Sequence, residues 1–121
     1  MFRPSPLRTP ETNERYRKYA ESRSPDDRCP LCAAETLVDF DHWRIIDNAF
    51  PYDEIAEVHH LLIPKAHISH REKNFMPIWG NFAMDIEKYV FASYDAVTLN
   101  CPAAQTVPDH MHFHLITYKT I

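Results

Sequence analysis

Close to its end the chain carries the stretch His110-Met111-His112-Phe113-His114-Leu115-Ile116, in which three histidines alternate with apolar residues. Alternation with a period of two predicts a β-strand. Successive side chains on a strand point to opposite faces, so we expect the imidazoles on one face and the apolar side chains on the other. The strand is predicted over residues 110–118.

The row of imidazoles is the first candidate for chemistry. Side chains on one strand face recur about every 6.6–6.8 Å, and core packing requires no such row of histidines. Histidine changes its charge near neutral pH and serves as acid, base, nucleophile or metal ligand. The residues alone leave three interpretations: catalysis, metal binding, or a half-exposed strand whose polar face happens to be histidine.

The composition restricts the class of protein. A chain of 121 residues builds one domain, and its net charge of −4 offers no basic surface for extended nucleic acid. No stretch approaches the roughly 20 apolar residues of a membrane span, and residues 1–6 lack the apolar run of a signal peptide. We therefore expect a cytoplasmic protein. Gly80 is the single glycine, which excludes a glycine-rich phosphate loop.

Helix and strand patterns alternate along the chain. Thr9 followed by Pro10 is typical of a helix start, and this N-terminal helix is expected to stop near residue 24. Apolar residues at spacings of three and four predict a long helix over residues 75–93. Strands are predicted over residues 36–40, 43–47, 57–64, 96–100 and 110–118. The order indicates an α+β fold with a mainly antiparallel five-stranded sheet.

Cys29 and Cys32 form a Cys-x-x-Cys pair, whose spacing suits two thiolates on one tetrahedral zinc ion. With Cys101 the chain has three cysteines, which cannot all pair, and a reducing compartment favours metal binding over a disulfide. The pair by itself leaves the remaining ligands unidentified. Two buried free thiols are the alternative.

Two segments together resemble the histidine triad (HIT) family of nucleotide hydrolases and transferases. The first is His59-His60-Leu61-Leu62-Ile63-Pro64-Lys65-Ala66-His67, and the second is the run QTVPDHMHFH from Gln105 to His114. The resemblance covers roughly residues 29–118. It implies a HIT-like fold for residues 29–121, with residues 1–28 as an N-terminal arm and helix of the same globular domain.

The resemblance implies different roles for the histidines. The middle one, His112, would be the nucleophile that attacks the α-phosphorus of a nucleotide and forms a nucleotidyl-imidazole, which water then cleaves. His114 and His59 are implied near the phosphoryl oxygens, where hydrogen-bond donors stabilise developing negative charge. Without the resemblance, His59 would be interpreted as a core histidine on the strand face of Leu61 and Ile63.

Ligand-binding positions are implied as well. Asn48 lies in a loop similar to the family's ribose-binding loop, and Gln105 and Thr106 match residues that hold phosphate before the triad. Plain turn and loop residues are the alternative for all three. The family's loop before the triad usually contains glycines, whereas residues 100–104 have none. Asp109 resembles an insertion, and its carboxylate would repel a phosphate unless it is turned away.

A subset of HIT proteins carries a Cys-x-x-Cys pair at this place. In that subset zinc is completed by two histidines, which correspond to His67 and His110 in this chain. The resemblance therefore implies a structural zinc bound by Cys29, Cys32, His67 and His110. Four protein ligands leave no open position for catalysis.

The resemblance implies a nucleotide hydrolase or transferase that acts on a purine nucleotide phosphoramidate or a dinucleoside polyphosphate. HIT proteins are commonly homodimers, and the apolar face around Trp79 is a candidate interface. Two alternatives stay open: a non-catalytic, zinc-stapled nucleotide-binding module, and a metalloenzyme in which His110, His112 and His114 hold a reactive metal. The expected partners are a nucleotide and a second copy of the chain, with neither extended nucleic acid nor membrane.

Overall fold

A computed structural model describes residues 2–69, 80 and 86–120. Within them lies a five-stranded, fully antiparallel sheet in the order β1-β2-β3-β5-β4. The strands are β1 (Val38–Asp39), β2 (Trp43–Asp47), β3 (Ala56–Pro64), β4 (Ala96–Thr98) and β5 (Phe113–Tyr118). The predicted α+β fold and antiparallel sheet are confirmed.

Three α-helices and one 3-10 helix accompany the sheet in the described residues. They are α1 (Pro10–Ser22), α2 (Pro30–Ala33), α3 (Glu87–Ser93) and the 3-10 turn Pro102–Ala104. The predicted cap of α1 is confirmed, because the Thr12 N–H donates to Thr9 Oγ1 at 3.2 Å. Helix α3 coincides with the end of the long helix predicted from residue 75. Residues 75–79 and 81–85, including Trp79 of the candidate interface, lie outside the described residues.

The two faces of the sheet bury two different sets of apolar side chains. Alternation along β3 and β5 produces this division, since neighbouring residues on a strand point to opposite faces. The larger core contains Trp43, Ile45, Leu62, Ile86, Val90, Met111, Phe113 and Leu115. The smaller core contains Leu31, Ile46, Leu61 and Ile63, on the face that also carries the buried His59.

The last strand begins later than the sequence predicts, at Phe113 instead of His110. Before it the Met111 N–H donates to the Ile68 carbonyl at 2.7 Å, outside the ladder between β3 and β5. Regular pairing begins at Phe113, opposite Leu62. The alternation nevertheless persists through the irregular part, because Met111 is fully buried in the larger core together with Phe113. No helix in the described part of the chain is long and apolar enough to cross a membrane.

Candidate active site and metal cluster

His59 and His114 meet at the centre of the sheet. Strands β3 and β5 are paired with Leu61 opposite His114, so His59 and His114 are diagonal neighbours on one face. Their ring nitrogens, His59 Nε2 and His114 Nδ1, are 2.8 Å apart. Both side chains are almost fully buried, with exposed fractions of 4% and 3%.

The hydrogen bonds around this pair determine where its protons lie. The Tyr52 backbone N–H donates to His59 Nδ1 at 2.9 Å, so the proton of the neutral His59 ring is on Nε2. That proton is donated to His114 Nδ1, which leaves the proton of His114 on Nε2. His114 Nε2 lies 3.3 Å from Asn100 Nδ2. A proton on His114 Nε2 therefore requires the Asn100 amide to be turned so that its Oδ1 faces the ring and accepts.

Burial keeps both rings neutral. Burial, followed by the positive charge of Arg8, lowers the pKa of His59 to about 4. Burial, followed by the neighbouring His112, lowers the pKa of His114 to about 2. Near neutral pH the pair is therefore an uncharged relay of hydrogen bonds that ends in an N–H donor.

His112 has the opposite proton arrangement. Its Nδ1–H donates to the backbone carbonyl of His110 at 2.9 Å, so the lone pair of the neutral ring is on Nε2. The side chain is 4% exposed, and burial lowers its pKa. The rings of His112 and His114 are 5.3 Å apart at their centroids. A neutral imidazole with a free lone pair thus lies beside the His114 ring.

A cavity of about 260 Å³ opens next to these two rings. Its walls are apolar and aromatic, with polar groups near the histidines, a combination typical of small-molecule sites. The residues that line it include Tyr16, Leu31, Ile46, Asn48, Phe50, Leu61, Thr106, His112 and His114.

The three predicted ligand-binding residues occupy different positions relative to this cavity. Asn48 lines it and accepts the Phe50 N–H through Oδ1 at 2.9 Å. Thr106 also lines it, and its hydroxyl is 2.8 Å from the Tyr16 hydroxyl. Gln105 is buried in the loop, where its Nε2–H donates to the Asn100 carbonyl at 2.8 Å. Its Oε1 is buried and has no hydrogen-bond partner among the described residues.

The other end of the histidine row belongs to a second cluster. One potential ligand atom from each of Cys29, Cys32, His67 and His110 lies within 4.8 Å of the others. His110 Nδ1 is 3.3 Å from His67 Nδ1, 3.4 Å from Cys32 Sγ and 3.7 Å from Cys29 Sγ. Cys32 Sγ is 3.3 Å from His67 Nδ1. The structure therefore brings together the four residues predicted to bind metal.

These distances fit a tetrahedral zinc site. Zn–N bonds of about 2.05 Å and Zn–S bonds of about 2.3 Å place two nitrogens about 3.3 Å apart and a nitrogen and a sulfur about 3.6 Å apart. His110 Nε2–H donates to the Pro64 carbonyl at 2.9 Å, so its Nδ1 lone pair faces the cluster. A partner of this kind on the second ring nitrogen is typical of metal-ligating histidines.

The surroundings hold the two cysteines in place. The Arg44 guanidinium donates to the Leu31 and Ala34 carbonyls, each at 2.6 Å, and to the Cys32 carbonyl at 3.3 Å. Burial, followed by the neighbouring Cys29 thiol, raises the pKa of Cys32. A divalent cation would reverse this effect, because a coordinating thiol is deprotonated. Among the described residues this is the one group of three or more such side chains able to hold a metal.

The N-terminal arm and α1 contribute side chains to the cavity that sequence reasoning missed. Tyr16 stacks on Phe50 at a ring distance of 4.2 Å, and Arg8 also lines the cavity. No motif marks these residues, because their contacts join positions far apart in sequence. Tyr16 and Thr106, for example, are separated by 90 residues. Asp109 is exposed and lines a different cavity, on the side of the metal cluster.

Comparison with solved structures identifies the fold. The chain is similar to a HIT family hydrolase from Legionella pneumophila, with 21% identity, a TM-score of 0.58, and 77% of this chain and 95% of that chain covered. It is also similar to a HIT family hydrolase from Clostridium thermocellum, with 22% identity, a TM-score of 0.54, and 75% and 90% covered. No protein-family model and no curated protein matches the sequence. The chain therefore has the HIT fold.

Proposed function

We propose that this protein is a HIT-type nucleotide hydrolase or nucleotidyl transferase that forms a nucleotidyl-histidine intermediate on His112. The observation that carries the proposal is the set of hydrogen-bond partners around His112 and His114, from which the positions of their protons follow. The Nδ1–H of His112 is engaged by the His110 carbonyl, so Nε2 carries the lone pair. The relay from Tyr52 through His59 leaves an N–H on His114 Nε2. Both rings line the cavity of about 260 Å³.

In the proposed reaction, His112 Nε2 attacks the α-phosphorus of the nucleotide. The bond from phosphorus to the leaving group breaks, its electron pair departs with the leaving group, and the leaving group takes up a proton. Water then attacks the phosphorus, the P–N bond breaks, and a nucleoside monophosphate is released while His112 returns to its neutral form. Dividing one displacement into two steps in this way is covalent catalysis.

The neighbouring histidines support the phosphoryl group. The Nε2–H of His114 would donate to a phosphoryl oxygen and stabilise the charge that develops there. His59 would act through His114 as a positioning residue, since its Nε2 is 2.8 Å from His114 Nδ1. The resemblance implies that His59 is near the phosphoryl oxygens as well, whereas its hydrogen bond to His114 favours an indirect role.

The cavity supports a nucleotide as substrate. Its aromatic and apolar walls suit a purine base, and Asn48 and Thr106 supply polar groups at its edge. We assign Asn48 to the ribose, and Thr106 with Gln105 to the phosphate. For Gln105 the support is the buried, unpartnered Oε1, which shows unused hydrogen-bonding capacity beside the triad. The leaving group is a phosphoramidate amine or a polyphosphate.

Zinc is proposed as the metal of the Cys29, Cys32, His67 and His110 cluster. The ion would tie α2, the end of β3 and the start of the triad segment together, a structural contribution to folding. His110 is a ligand in this assignment, and its backbone carbonyl holds the His112 ring. The metal cluster and the nucleophile would therefore be linked through one residue.

The test is turnover of adenosine phosphoramidate and of a diadenosine polyphosphate by the wild-type protein and by His112→Ala. We expect His112→Ala to lower kcat by at least about a thousandfold, because the nucleophile is lost. His42→Ala is the matched control, since His42 is an exposed histidine outside the site. Turnover that survives in His112→Ala would contradict the proposal. Nucleotide binding without turnover in the wild type would favour the non-catalytic module.

A further inference from the structure

Arg8 is a buried cation without a carboxylate partner. Its exposed fraction is 6%, and no ion pair within 4.0 Å joins it to an acidic side chain among the described residues. The guanidinium is held by its Nε–H, which donates to the Phe50 carbonyl at 2.9 Å, and by the Tyr16 and Tyr52 rings at 4.8 and 5.1 Å. Buried charges are normally paired, so a guanidinium held in this way is suited to an anionic ligand.

The neighbouring acid, Asp53, attracts the guanidinium through its charge but forms no ion pair with it within 4.0 Å among the described residues. Asp53 accepts the Thr9 N–H at 2.8 Å, the Thr9 hydroxyl at 3.1 Å and the Thr12 hydroxyl at 2.5 Å. This carboxylate is therefore committed to the start of α1. The terminal nitrogens of Arg8 have no hydrogen bond to another described residue, and they are available to a ligand.

A second cavity, of about 290 Å³, lies between the N-terminal arm and the triad. The arm forms one wall with residues 3–8, and Asn100 and His114 belong to the other. Arg8, Thr106 and His114 line both this cavity and the one beside His112. The two cavities are therefore neighbours that share the N–H donor proposed for the phosphoryl group.

The charged side chains that line the second cavity are all positive. Arg3 and Arg8 are its charged lining residues, and the lining includes no carboxylate among the described residues. Arg3 is exposed at the rim, where its guanidinium donates to the Ala103 carbonyl at 3.2 Å. Planar guanidinium groups bind phosphate oxygens through paired N–H donors. The cavity is thus suited to a phosphate chain.

We infer that this second cavity is the leaving-group site and that Arg8, assisted by Arg3, selects a polyphosphate leaving group. The inference rests on the proposed function, because it needs the nucleotide in the first cavity and His112 as the attacking group. When the bond between the α-phosphorus and its bridging oxygen breaks, the electron pair stays on that oxygen. Arg8 would offset the negative charge that the departing polyphosphate gains.

A phosphoramidate provides the internal comparison. Its leaving group is a neutral amine once protonated and released, and it has no phosphate chain for Arg8 to bind. Loss of Arg8 should therefore affect the two substrates unequally, whereas damage to the triad or to the fold should affect both.

The experiment measures kcat/KM for a diadenosine polyphosphate and for adenosine phosphoramidate with the wild type, Arg8→Met and Arg8→Lys. We expect Arg8→Met to lower kcat/KM at least tenfold more for the polyphosphate than for the phosphoramidate, and Arg8→Lys to restore part of the difference. Arg17→Met is the matched control, because Arg17 lies on α1 but pairs with Glu14 and Glu21. Equal losses for both substrates would overturn the inference.

Binding of inorganic tripolyphosphate, measured by calorimetry, separates the two proposals. We expect Arg8→Met to weaken this binding at least tenfold and Arg17→Met to leave it unchanged. If the wild type turns over neither substrate but shows this Arg8-dependent binding, the proposed function fails and the anion site stands. If turnover occurs and tripolyphosphate binding does not depend on Arg8, the anion site fails. Should Arg8→Met not fold, the exposed Arg3→Met applies the same tests, with an expected selective loss of about threefold.

Discussion

The three histidines of the triad segment differ in which of their two ring nitrogens is hydrogen-bonded within the protein and in the partner of that bond. His110 donates from Nε2 to the Pro64 carbonyl, so its Nδ1 faces the metal cluster. His112 donates from Nδ1 to the His110 carbonyl, so its Nε2 keeps the lone pair. His114 accepts at Nδ1 from His59 and keeps a proton on Nε2. One residue type is thus suited to the three proposed roles of metal ligand, nucleophile and N–H donor, because a neutral imidazole has one donor and one acceptor.

At the same scale, the buried His59 and His114 make stability dependent on pH. Their pKa values are lowered to about 4 and about 2, mainly by burial, against about 6.5 in the unfolded chain. Between pH 6.5 and 4 the unfolded chain therefore binds more protons. The free energy of unfolding that these groups contribute is fully present above pH 6.5 and is lost as the pH falls towards 4, by about 3 kcal/mol for each histidine and about 6 kcal/mol for the pair.

Urea unfolding at pH 7, 5.5 and 4.5 measures this dependence. We expect His59→Asn to reduce the slope of the free energy of unfolding against pH, because it removes one of the buried histidines whose pKa is lowered. His42→Asn changes an exposed histidine and should leave the slope unaltered. The same slope in the wild type and in His59→Asn would contradict the assignment.

At the scale of elements, α2 is too short to be stable by its own hydrogen bonds. It has four residues, whereas isolated helices shorter than about 12 residues are marginal in water. Its position depends on Arg44 of β2, which binds the carbonyls around it. The metal cluster adds a second attachment, from Cys29 and Cys32 to the end of β3 and to the triad segment.

We predict about one zinc per chain in the purified protein and its loss in Cys29→Ser, measured by elemental analysis. Removal of a ligand should also lower the thermal unfolding midpoint, because metal binding contributes to folding. Cys101→Ser is the matched control, since Cys101 is an exposed cysteine outside the cluster. Equal zinc content in both variants would show that the cluster does not bind zinc.

At the scale of the whole molecule, the N-terminal arm and α1 are part of the site. From its charged sequence, α1 is expected to be a peripheral element, yet Tyr16 and Arg8 line the cavity beside His112 and His114. The aromatic stack of Tyr16 on Phe50 fastens α1 to the loop after β2. The arm thus encloses a site whose reactive groups all come from the sheet and its loops.

At the same scale, we expect the protein to be a homodimer. Light scattering at micromolar concentration should give a mass of twice 14.2 kDa, because the HIT proteins that this chain resembles commonly form dimers. A mass of 14.2 kDa across the micromolar range would count against it. Trp79→Ala then tests the candidate interface: we expect it to shift the mass towards the monomer.

Much of the fold could be predicted from sequence periodicity and spacing, and most residues of the candidate site were implied by the resemblance to the HIT family. Strand β2 and the start of α1 agree with the prediction, since a threonine cap and a short alternating run are local signals. The start of β5 does not agree, because the pattern of alternation continues through residues 110–112 while ladder hydrogen bonds begin at Phe113. Arg8 could not be predicted as part of the site, since Phe50 and Tyr52, which contact its guanidinium, are more than 40 positions away in the sequence.

The sequence by itself determined the sheet, the alternation that divides its two cores, and the Cys-x-x-Cys pair of the metal cluster, whereas His67 and His110 as its further ligands were implied by the resemblance to the HIT family. Periodicity and ligand spacing are properties of the chain, and they survive in any compact arrangement that satisfies them. Only the tertiary structure decided which ring nitrogen of each histidine keeps its proton and placed the Arg8 guanidinium beside the triad. Both depend on single hydrogen bonds and ring contacts between distant segments, and no local pattern of residues encodes them.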